Sequence, residues 1–325
     1  MCGIVGYVGS RQCTEVLIDA LSKLEYRGYD SAGIAVFDNG EIKVAKSKGR
    51  LKDLENKMEK EGTPNGFAGI GHTRWATHGE PSDVNSHPHS GERVTIVHNG
   101  IIENYKPLKE FLLSQGRVFQ SETDTEVVAQ LLDYYYDGNP LETIKKVMHE
   151  LEGSFALGIV FADFKDTVYA VRCESPLIVG VGENESFIAS DVPAILKYTK
   201  DYYLLEHGEI AVLNKSGVTV YDRHLTEIEK ELKTADWDMD AAEKGGYEHF
   251  MLKEIHEQPN AIKTTIAPRI TDGLPNLEEC GITPEILKGF NQIYVVACGT
   301  AMHAGMVGKY VIEKLAKVPV IVDIA

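Results

Sequence analysis

The chain has 325 residues, and its 33 Lys and Arg stand against 49 Asp and Glu, which gives a formal net charge of −16. This acidic balance argues against nucleic acid or an anionic membrane as a partner, since both carry negative charge. Because the sequence has neither an apolar run long enough to span a membrane nor a basic start followed by an apolar segment, we expect a cytoplasmic protein.

The spacing of apolar residues predicts strands and one helix over the first third of the chain. The helix is expected at residues 14–24, and the strands at residues 2–9, 33–37, 41–46, 67–73 and 94–99. The turn Asp38-Asn39-Gly40 joins two of these strands in a hairpin. Residues 75–93 form a polar loop, and a loop of that length is typical of functional or mobile segments.

The middle of the chain adds three helices and then a run of short strands. The helices are predicted at residues 104–113, 125–136 and 141–151. The strands are predicted at residues 155–161, 167–172, 177–181, 186–189, 202–205, 210–213 and 218–221. This mixture, with hairpins rather than regular βαβ units, indicates an α+β layered domain.

The composition changes after the last of these strands. Residues 227–246 are charged and poor in apolar runs, which is typical of a domain exit, and a helix at 247–266 is predicted to be interrupted at Pro259. One βαβ unit follows, with a strand, a helix and a second strand at residues 292–297, 302–316 and 319–324. A single such unit cannot cover its own parallel sheet, so we expect the protein to continue beyond Ala325.

Cys2 is the first candidate nucleophile. Initiator methionine is commonly removed before a small residue, and Cys2 would then carry both a thiol and a free α-amine. The pKa of an α-amine is about 7.7–8.0 and that of a thiol about 8.5, so the amine can serve as the general base for the thiol. The alternative is a chance cysteine within a buried strand.

Three further segments place polar groups at the ends of predicted elements. Arg74 offers a planar cationic fork for a carboxylate, and Asp124 can hold an ammonium group. Asn99 and Gly100 can form an oxyanion hole where a strand ends. Each segment also has a structural interpretation: a polar strand end, a capping box that begins at Thr123, and an Asn-Gly turn.

The sequence does not favour a metal site or a disulfide framework. The five cysteines are odd in number, widely spaced and without a CxxC pair. No HExxH motif is present among the clustered histidines, which are His72, His78, His87, His89 and His98. The turn Cys298-Gly299-Thr300 can hold a phosphate at a helix N-terminus, although many βα turns look the same.

Five segments, taken in order, resemble the class II glutamine amidotransferases, which are N-terminal nucleophile hydrolases. They are MCGIVGY, LEYRGYDSAG, GHTRWATHGEPS, VHNGIIEN and SETDTEVV. Within that class, YRGYDSAG, HTRWATHGEPS and HFMLKEIHEQPNAI resemble the family of glutamine–fructose-6-phosphate aminotransferases. The resemblance implies a four-layer αββα sandwich at residues 2–240, a linker and interdomain helix at 241–290, and the start of an α/β sugar-isomerase domain with a doubly wound parallel sheet at 291–325.

The resemblance assigns catalytic roles to four residues of this chain. Cys2 would be the nucleophile, activated by its own α-amine. Asn99 and Gly100 would form the oxyanion hole for the tetrahedral intermediate. Trp75 would gate the path of ammonia towards a second site.

The resemblance also assigns the substrate contacts. Arg74 would bind the α-carboxylate of glutamine, with Thr77 and His78 beside it. Asp124 would hold the α-ammonium group, and Arg27 would line the pocket. A cationic fork, an anion and a nucleophile are the groups that recognition of an amino-acid amide requires.

The implied reaction converts glutamine to a γ-glutamyl thioester and ammonia, and then to glutamate, without a cofactor. In the complete enzyme, expected to be a homodimer, the ammonia would aminate fructose 6-phosphate, with Gly299 and Thr300 at the sugar phosphate. The family pattern has a serine where this chain has Ala301, so one hydroxyl contact to the sugar would be missing.

Three alternative functions stay open at this point. The first is another class II amidotransferase with a different ammonia acceptor. The second is a papain-like hydrolase in which one of the clustered histidines serves as the base. The third is a domain that binds glutamine without turnover.

Overall fold

The computed structural model describes residues 2–76, 78–235 and 245–325 of the chain. The chain divides into an N-terminal unit, Met1–Gly246, and a C-terminal unit, Tyr247–Ala325. The domain end predicted at residue 240 lies outside the described residues. The boundary predicted between residues 290 and 291 stays a prediction.

Two antiparallel sheets form the centre of the N-terminal unit. The eight-stranded sheet contains, in spatial order, β15 (Lys233–Thr234), β11 (Asp201–Leu204), β9 (Ile178–Gly182), β10 (Glu185–Ala189), β1 (Gly3–Val8), β4 (Ala68–Arg74), β2 (Ser31–Asp38) and β3 (Glu41–Lys48). The seven-stranded sheet contains β14 (Glu227–Ile228), β13 (Gly217–Tyr221), β12 (Glu209–Asn214), β8 (Val168–Cys173), β7 (Gly153–Phe161), β6 (Val94–Ile102) and β5 (His89–Ser90).

Helices cover the outer face of each sheet. Those on the eight-stranded sheet are α1 (Cys13–Ser22) and α2 (Leu51–Glu61). Those on the seven-stranded sheet are α3 (Tyr105–Ser114), α4 (Asp124–Tyr135) and α5 (Pro140–Glu150). A third apolar cluster lies between the two sheets, so the layers follow the order αββα and the predicted fold is confirmed.

The alternation of side chains along β1 shows how the sequence produces these layers. Val5 and Tyr7 belong to the cluster beneath the helices, whereas Ile4 and Val8 belong to the cluster between the sheets. All four are buried, as expected for a central strand covered on both faces. Gly6 leaves room for the neighbouring strand and for the other sheet, because an added Cβ would lie 2.6 Å from Ile188 Cγ1 on β10 and 3.3 Å from Val168 Cγ1 on β8.

Several details of the structure differ from the sequence-based prediction. The edge strands β5, β14 and β15 lie in segments that were predicted as a polar loop and a domain exit. Helix α2 was not predicted. Its residues Leu51, Leu54 and Met58 lie on one face of the helix and are buried against the eight-stranded sheet. The interruption predicted at Pro259 is wrong, since α6 (Phe250–Ile266) continues through this residue. An internal proline removes one backbone donor and bends a helix, and the turns on either side still form.

The C-terminal unit contains short elements followed by the predicted βαβ unit. The short elements are β16 (Ile270–Thr271), β17 (Leu274–Pro275), α7 (Pro284–Lys288) and the 3-10 turns Ala267–Arg269 and Glu278–Cys280. The βαβ unit consists of β18 (Ile293–Ala297), α8 (Gly299–Leu315) and β19 (Val320–Ile324), and its strands pair in parallel as predicted. No helix in the described ranges is long and apolar enough to cross a membrane.

Candidate active site

A cavity of about 330 Å³ in the N-terminal unit brings together the residues predicted to bind and cleave glutamine. Those that line it are Cys2, Arg27, Arg74, Trp75, His78, Asn99, Gly100 and Asp124. Thr77 lies outside the described residues. Gly299 and Thr300 belong to the C-terminal unit, where they begin helix α8.

The cavity is built mostly where strands and helices end. Cys2 directly precedes β1, Arg74 is the last residue of its neighbour β4, and Asp124 is the first residue of α4. Asn99 and Gly100 lie within β6 of the other sheet, because this strand continues to Ile102 and does not end at Asn99 as predicted. Element ends leave backbone groups and side chains free of the sheet ladder, so chemistry concentrates there.

The Cys2 thiol lies against the backbone of Trp75. The Trp75 N–H donates to Cys2 Sγ at 3.2 Å. Burial raises the pKa of the Cys2 thiol above its ordinary value, and the Trp75 N–H offsets part of that rise. A thiol in this state needs a base to remove its proton before it can attack.

The Cys2 carbonyl oxygen is held by two side chains. It accepts from Arg27 Nε at 3.0 Å and from Asn99 Nδ2 at 3.2 Å. Arg27 in turn forms an ion pair with Asp191, with Nη1 and Oδ2 3.2 Å apart. Arg27 therefore lines the pocket as predicted and also fixes the backbone of the candidate nucleophile.

The position of Gly100 requires a glycine. Its φ is +123°, which L side chains rarely adopt, and an added Cβ would overlap the carbonyl oxygen of Ser154 on β7. Asn99 directly before it points Nδ2 towards Cys2, and its Oδ1 lies 3.0 Å from His72 Nε2. An amide donor therefore lies within hydrogen-bond distance of the Cys2 backbone, and its role in an oxyanion hole stays a prediction.

Arg74 brings a buried positive charge to the cavity. Its Nη2 donates to the carbonyl oxygens of His78 and, at 3.0 Å, of Gly79. Burial lowers the pKa of the guanidinium, and the nearby Asp30 and Asp124 oppose that shift. The residue is 3% exposed, and its Nη1 has no hydrogen-bond partner among the described residues. A buried donor without a partner is costly, so Nη1 is well placed to bind an anion.

Asp124 places a buried carboxylate in the same cavity. It is 4% exposed, and its Oδ2 accepts from the Ile102 N–H at 2.9 Å. The predicted capping box is half right, because Thr123 Oγ1 accepts from the Glu126 N–H at 3.2 Å, while the Glu126 carboxylate binds the N–H groups of Gln120 and Ser121 instead. Capping thus fixes the helix start that carries Asp124.

The remaining predicted residues line the cavity without a demonstrated role. Trp75 is half exposed, and its ring meets Tyr29 edge to face with centroids 5.6 Å apart. The ring of His78 meets Tyr105 in the same way at 5.4 Å. The gating role of Trp75 stays a prediction.

Four of the clustered histidines are buried, and two of them, His87 and His98, line the cavity, but their hydrogen bonds go to residues other than Cys2. His87 Nε2 and His98 Nδ1 each lie 2.9 Å from Thr125 Oγ1, and His89 Nε2 lies 3.1 Å from Thr123 Oγ1. Burial lowers the pKa of all four, to about 3 for His72. The described part of the chain contains no His, Cys, Asp and Glu grouping able to hold a metal ion.

We expect the N-terminal unit to lose stability as the pH falls below about 6.5. An unfolded histidine binds its proton near pH 6.5, whereas folded His72 does so only near pH 3. Between these values the unfolded chain binds more protons, so the free energy of unfolding falls by about 1.4 kcal/mol per pH unit for each such histidine. Urea unfolding at several pH values, followed through hydrogen exchange of β6 amides, measures this slope.

The matched variants are His87→Leu and His224→Leu. His87 is buried and its pKa is lowered, so its replacement should reduce the slope by the contribution of one histidine. His224 is exposed and lies outside the buried cluster, so His224→Leu serves as the control for replacing a histidine elsewhere on the surface. Equal slopes for both variants and the wild type would contradict the assignment to the buried cluster.

Two contacts around the site were not predicted from the sequence. His72 bonds to Asn99 although 27 residues separate them, and Asp191 pairs with Arg27 across 164 residues. Asp191 carries no sequence signal, because it is one acidic residue among many. His72 carries a weak one, since it lies in a predicted strand two residues before Arg74.

Residues 72–197 match the family of glutamine amidotransferase domains. The chain is 57% identical to the glutamine–fructose-6-phosphate aminotransferase (isomerizing) of Clostridium acetobutylicum, in a match that covers 100% of this chain and 54% of that protein. The chain contains a glutamine amidotransferase domain. It spans about half the length of the curated relatives it matches, and the aligned half includes all of the predicted site.

Two solved structures have a similar fold. One is described as the allosteric regulatory enzyme of purine biosynthesis; it is 26% identical with a TM-score of 0.61, over 69% of this chain and 50% of that one. The other is the glutamine phosphoribosylpyrophosphate amidotransferase of B. subtilis, 19% identical with a TM-score of 0.64, over 99% of this chain and 65% of that one. Both likenesses support the fold, and the N-terminal unit has the N-terminal nucleophile hydrolase fold of the class II amidotransferases.

Proposed function

We propose that the N-terminal unit hydrolyses glutamine to glutamate and ammonia through a thioester on Cys2. The observation that carries this proposal is the content of one cavity: a thiol, an amide donor beside it, a buried cation with an unpartnered N–H, and a buried carboxylate. These groups match the amide, the α-carboxylate and the α-ammonium group of glutamine. The glutamine amidotransferase domain supports the same assignment.

In the proposed reaction, the Cys2 α-amine, free after removal of Met1, takes the thiol proton, and Sγ attacks the amide carbon. The oxyanion receives hydrogen bonds from Asn99 Nδ2 and the backbone at Gly100. The amine then passes its proton to the leaving nitrogen, the C–N bond breaks, and ammonia departs. Water adds to the thioester, the C–S bond breaks, and glutamate and the thiol are restored.

The contacts of the thiol favour this mechanism over a cysteine–histidine pair. Cys2 Sγ is bonded to the backbone of Trp75, whereas the buried histidines are bonded to Asn99, Thr123 and Thr125. A histidine whose pKa is lowered to about 3 is also a weak base near neutral pH.

In the longer protein that the relatives represent, we propose that the ammonia is transferred to fructose 6-phosphate, the substrate named in their description. Gly299 and Thr300 then remain candidates for the sugar phosphate, and homodimerisation remains part of the proposal. We expect this 325-residue chain to act as a glutaminase without forming an amino sugar. We propose the cytoplasm as its location, since a reducing compartment keeps the Cys2 thiol free.

Substrate analogues that lack one charged group test the proposed orientation. Arg74→Leu should lower kcat/KM for glutamine by roughly 10- to 100-fold, the range expected for a lost charge-assisted hydrogen bond. The same variant should act on 4-aminobutanamide, which lacks the α-carboxylate, as well as the wild type does. Steady-state ammonia release with both substrates measures this loss of discrimination.

Asp124→Asn provides the matched control with the complementary analogue. This variant should lose discrimination against 4-carbamoylbutanoate, which lacks the α-amine, while it continues to discriminate against 4-aminobutanamide. Arg74→Lys keeps the charge and checks that the loop at His78 and Gly79 still folds. If both variants discriminate between the analogues as the wild type does, the proposed orientation is wrong.

A further inference from the structure

A buried histidine lies directly behind the amide proposed to stabilise the oxyanion. His72 belongs to β4, and its side chain reaches Asn99 on β6 in the opposite sheet. The residue is 0% exposed, and its Nε2 lies 3.0 Å from Asn99 Oδ1. No catalytic step described above uses this side chain.

The contact defines where the single proton of His72 is held. Burial lowers the pKa of His72 to about 3, so the ring is neutral near pH 7 and carries one N–H. An amide oxygen can only accept a hydrogen bond, so Nε2 must be the donor. Among the described residues, Nδ1 has no well-formed hydrogen bond, although the backbone of His98 lies near the ring and raises its pKa slightly.

The packing around the ring restricts its rotation. The ring of His87 lies against it with centroids 4.1 Å apart and an interplanar angle of 32°. His87 is itself held by Thr125 at 2.9 Å. A ring flip would place Nδ1 towards Asn99, and this stack opposes it.

The orientation of the Asn99 amide follows from this donor. With Oδ1 bound to His72, Nδ2 must face the other way, and it donates to the Cys2 carbonyl at 3.2 Å. A flipped amide would direct its oxygen towards a developing negative charge and would repel it. We propose that His72 is a positioning residue that keeps the donor face of Asn99 directed at the reacting centre. The inference rests on the proposed glutamine hydrolysis and adds a specific role for a residue outside the cavity.

Two amide substitutions separate this role from simple packing. The Nε2 of a glutamine side chain can occupy the place of the histidine Nε2, whereas an asparagine amide reaches only the place of Nδ1. His72→Gln should keep kcat for glutamine within about fivefold of the wild type. His72→Asn should lower kcat by roughly 10- to 100-fold, somewhat less than removal of a whole oxyanion donor, and should change KM by less than about threefold.

Equal losses in both variants, or a change confined to KM, would overturn the proposal. If His72 acted through packing alone, the loss of kcat would depend on how well each new side chain fills the space of the histidine. It would not depend on where the side chain places its N–H donor. Thermal unfolding of both variants confirms that each is folded at the assay temperature.

A spectroscopic readout tests the contact without any turnover. Long-range ¹H–¹⁵N spectra of the wild type, with the His72 signals identified by their loss in His72→Gln, report which ring nitrogen carries the proton. We expect the proton on Nε2, and a proton on Nδ1 would overturn the proposal. If the wild type shows the Nε2 proton and does not hydrolyse glutamine, the hydrogen bond is supported, while the proposed function and the catalytic role of His72 both fail.

Discussion

Cys2→Ala is expected to abolish glutamine hydrolysis, with a fall in kcat of roughly 10⁴-fold or more, because the reaction loses its nucleophile. Within the described part of the chain, the Cys2 side chain lines the cavity and its hydrogen bonds go to the Trp75 backbone. Glutamine binding should therefore survive, since the charges of Arg74 and Asp124 remain. Glutamate release and equilibrium binding of glutamine, measured on the same preparation, separate the two effects.

The control for this experiment is Cys280→Ala. Cys280 is exposed and lies in the C-terminal unit, so its loss should leave turnover unchanged. Intact mass shows whether Met1 has been removed from each preparation. Turnover by a chain that retains Met1 would contradict the α-amine as base, and turnover by Cys2→Ala would contradict Cys2 as the nucleophile.

The layered fold was predictable because its buried strands are rich in apolar residues. The predicted strands of the two sheets occur within a few residues of their observed bounds, and Asn39 and Gly40 adopt the positive φ that the hairpin turn needs. Helix α2 was missed, because three apolar residues among eight charged or polar ones also fit a solvated segment. The helix is favoured only once Leu54 packs against the eight-stranded sheet, and this long-range contact is not visible in the local sequence.

The candidate site was predictable where chemistry is concentrated in short segments, and it was not predictable where distant residues meet. Arg74 follows a predicted strand, Asn99 is the last residue of another, and Asp124 directly precedes a predicted helix. The contact between His72 and Asn99 depends on the distance between two sheets, which no local pattern contains. The sequence made the clustered histidines candidates for a catalytic base or a metal site. In the structure, four of them are buried and form hydrogen bonds with Asn99, Thr123 and Thr125.

The geometry also explains why the proposed site needs both sheets. The Cys2 thiol and the Arg74 cation belong to one sheet, and the amide of Asn99 belongs to the other. The nucleophile and the oxyanion donor therefore keep their spacing only while the apolar layer between the sheets stays packed. Substitutions that disturb the pairing of β6 with its neighbour β7 should therefore lower kcat more than they weaken the binding of glutamine.

Gly100→Ala is the sharpest test of that expectation, and we expect kcat to fall by roughly 10²- to 10³-fold, as for the loss of an oxyanion donor. An added Cβ would lie 2.8 Å from the Ser154 carbonyl carbon and 2.9 Å from the Phe155 Cα, both in the backbone of β7. The backbone must move away, since neither neighbour is a flexible side chain. That movement displaces the Gly100 N–H and Asn99 from the reacting centre.

Gly62→Ala separates this displacement from the general cost of a positive φ. Gly62 has a φ of +110°, close to that of Gly100, but an added Cβ would meet nothing within 4 Å. Both variants should lose about 1–3 kcal/mol of stability from the backbone conformation, and only Gly100→Ala should lose kcat. Urea unfolding and steady-state kinetics on the two variants provide the comparison. An equal loss of kcat in both would mean that activity follows global stability, and an unchanged kcat in Gly100→Ala would remove Gly100 from the oxyanion hole.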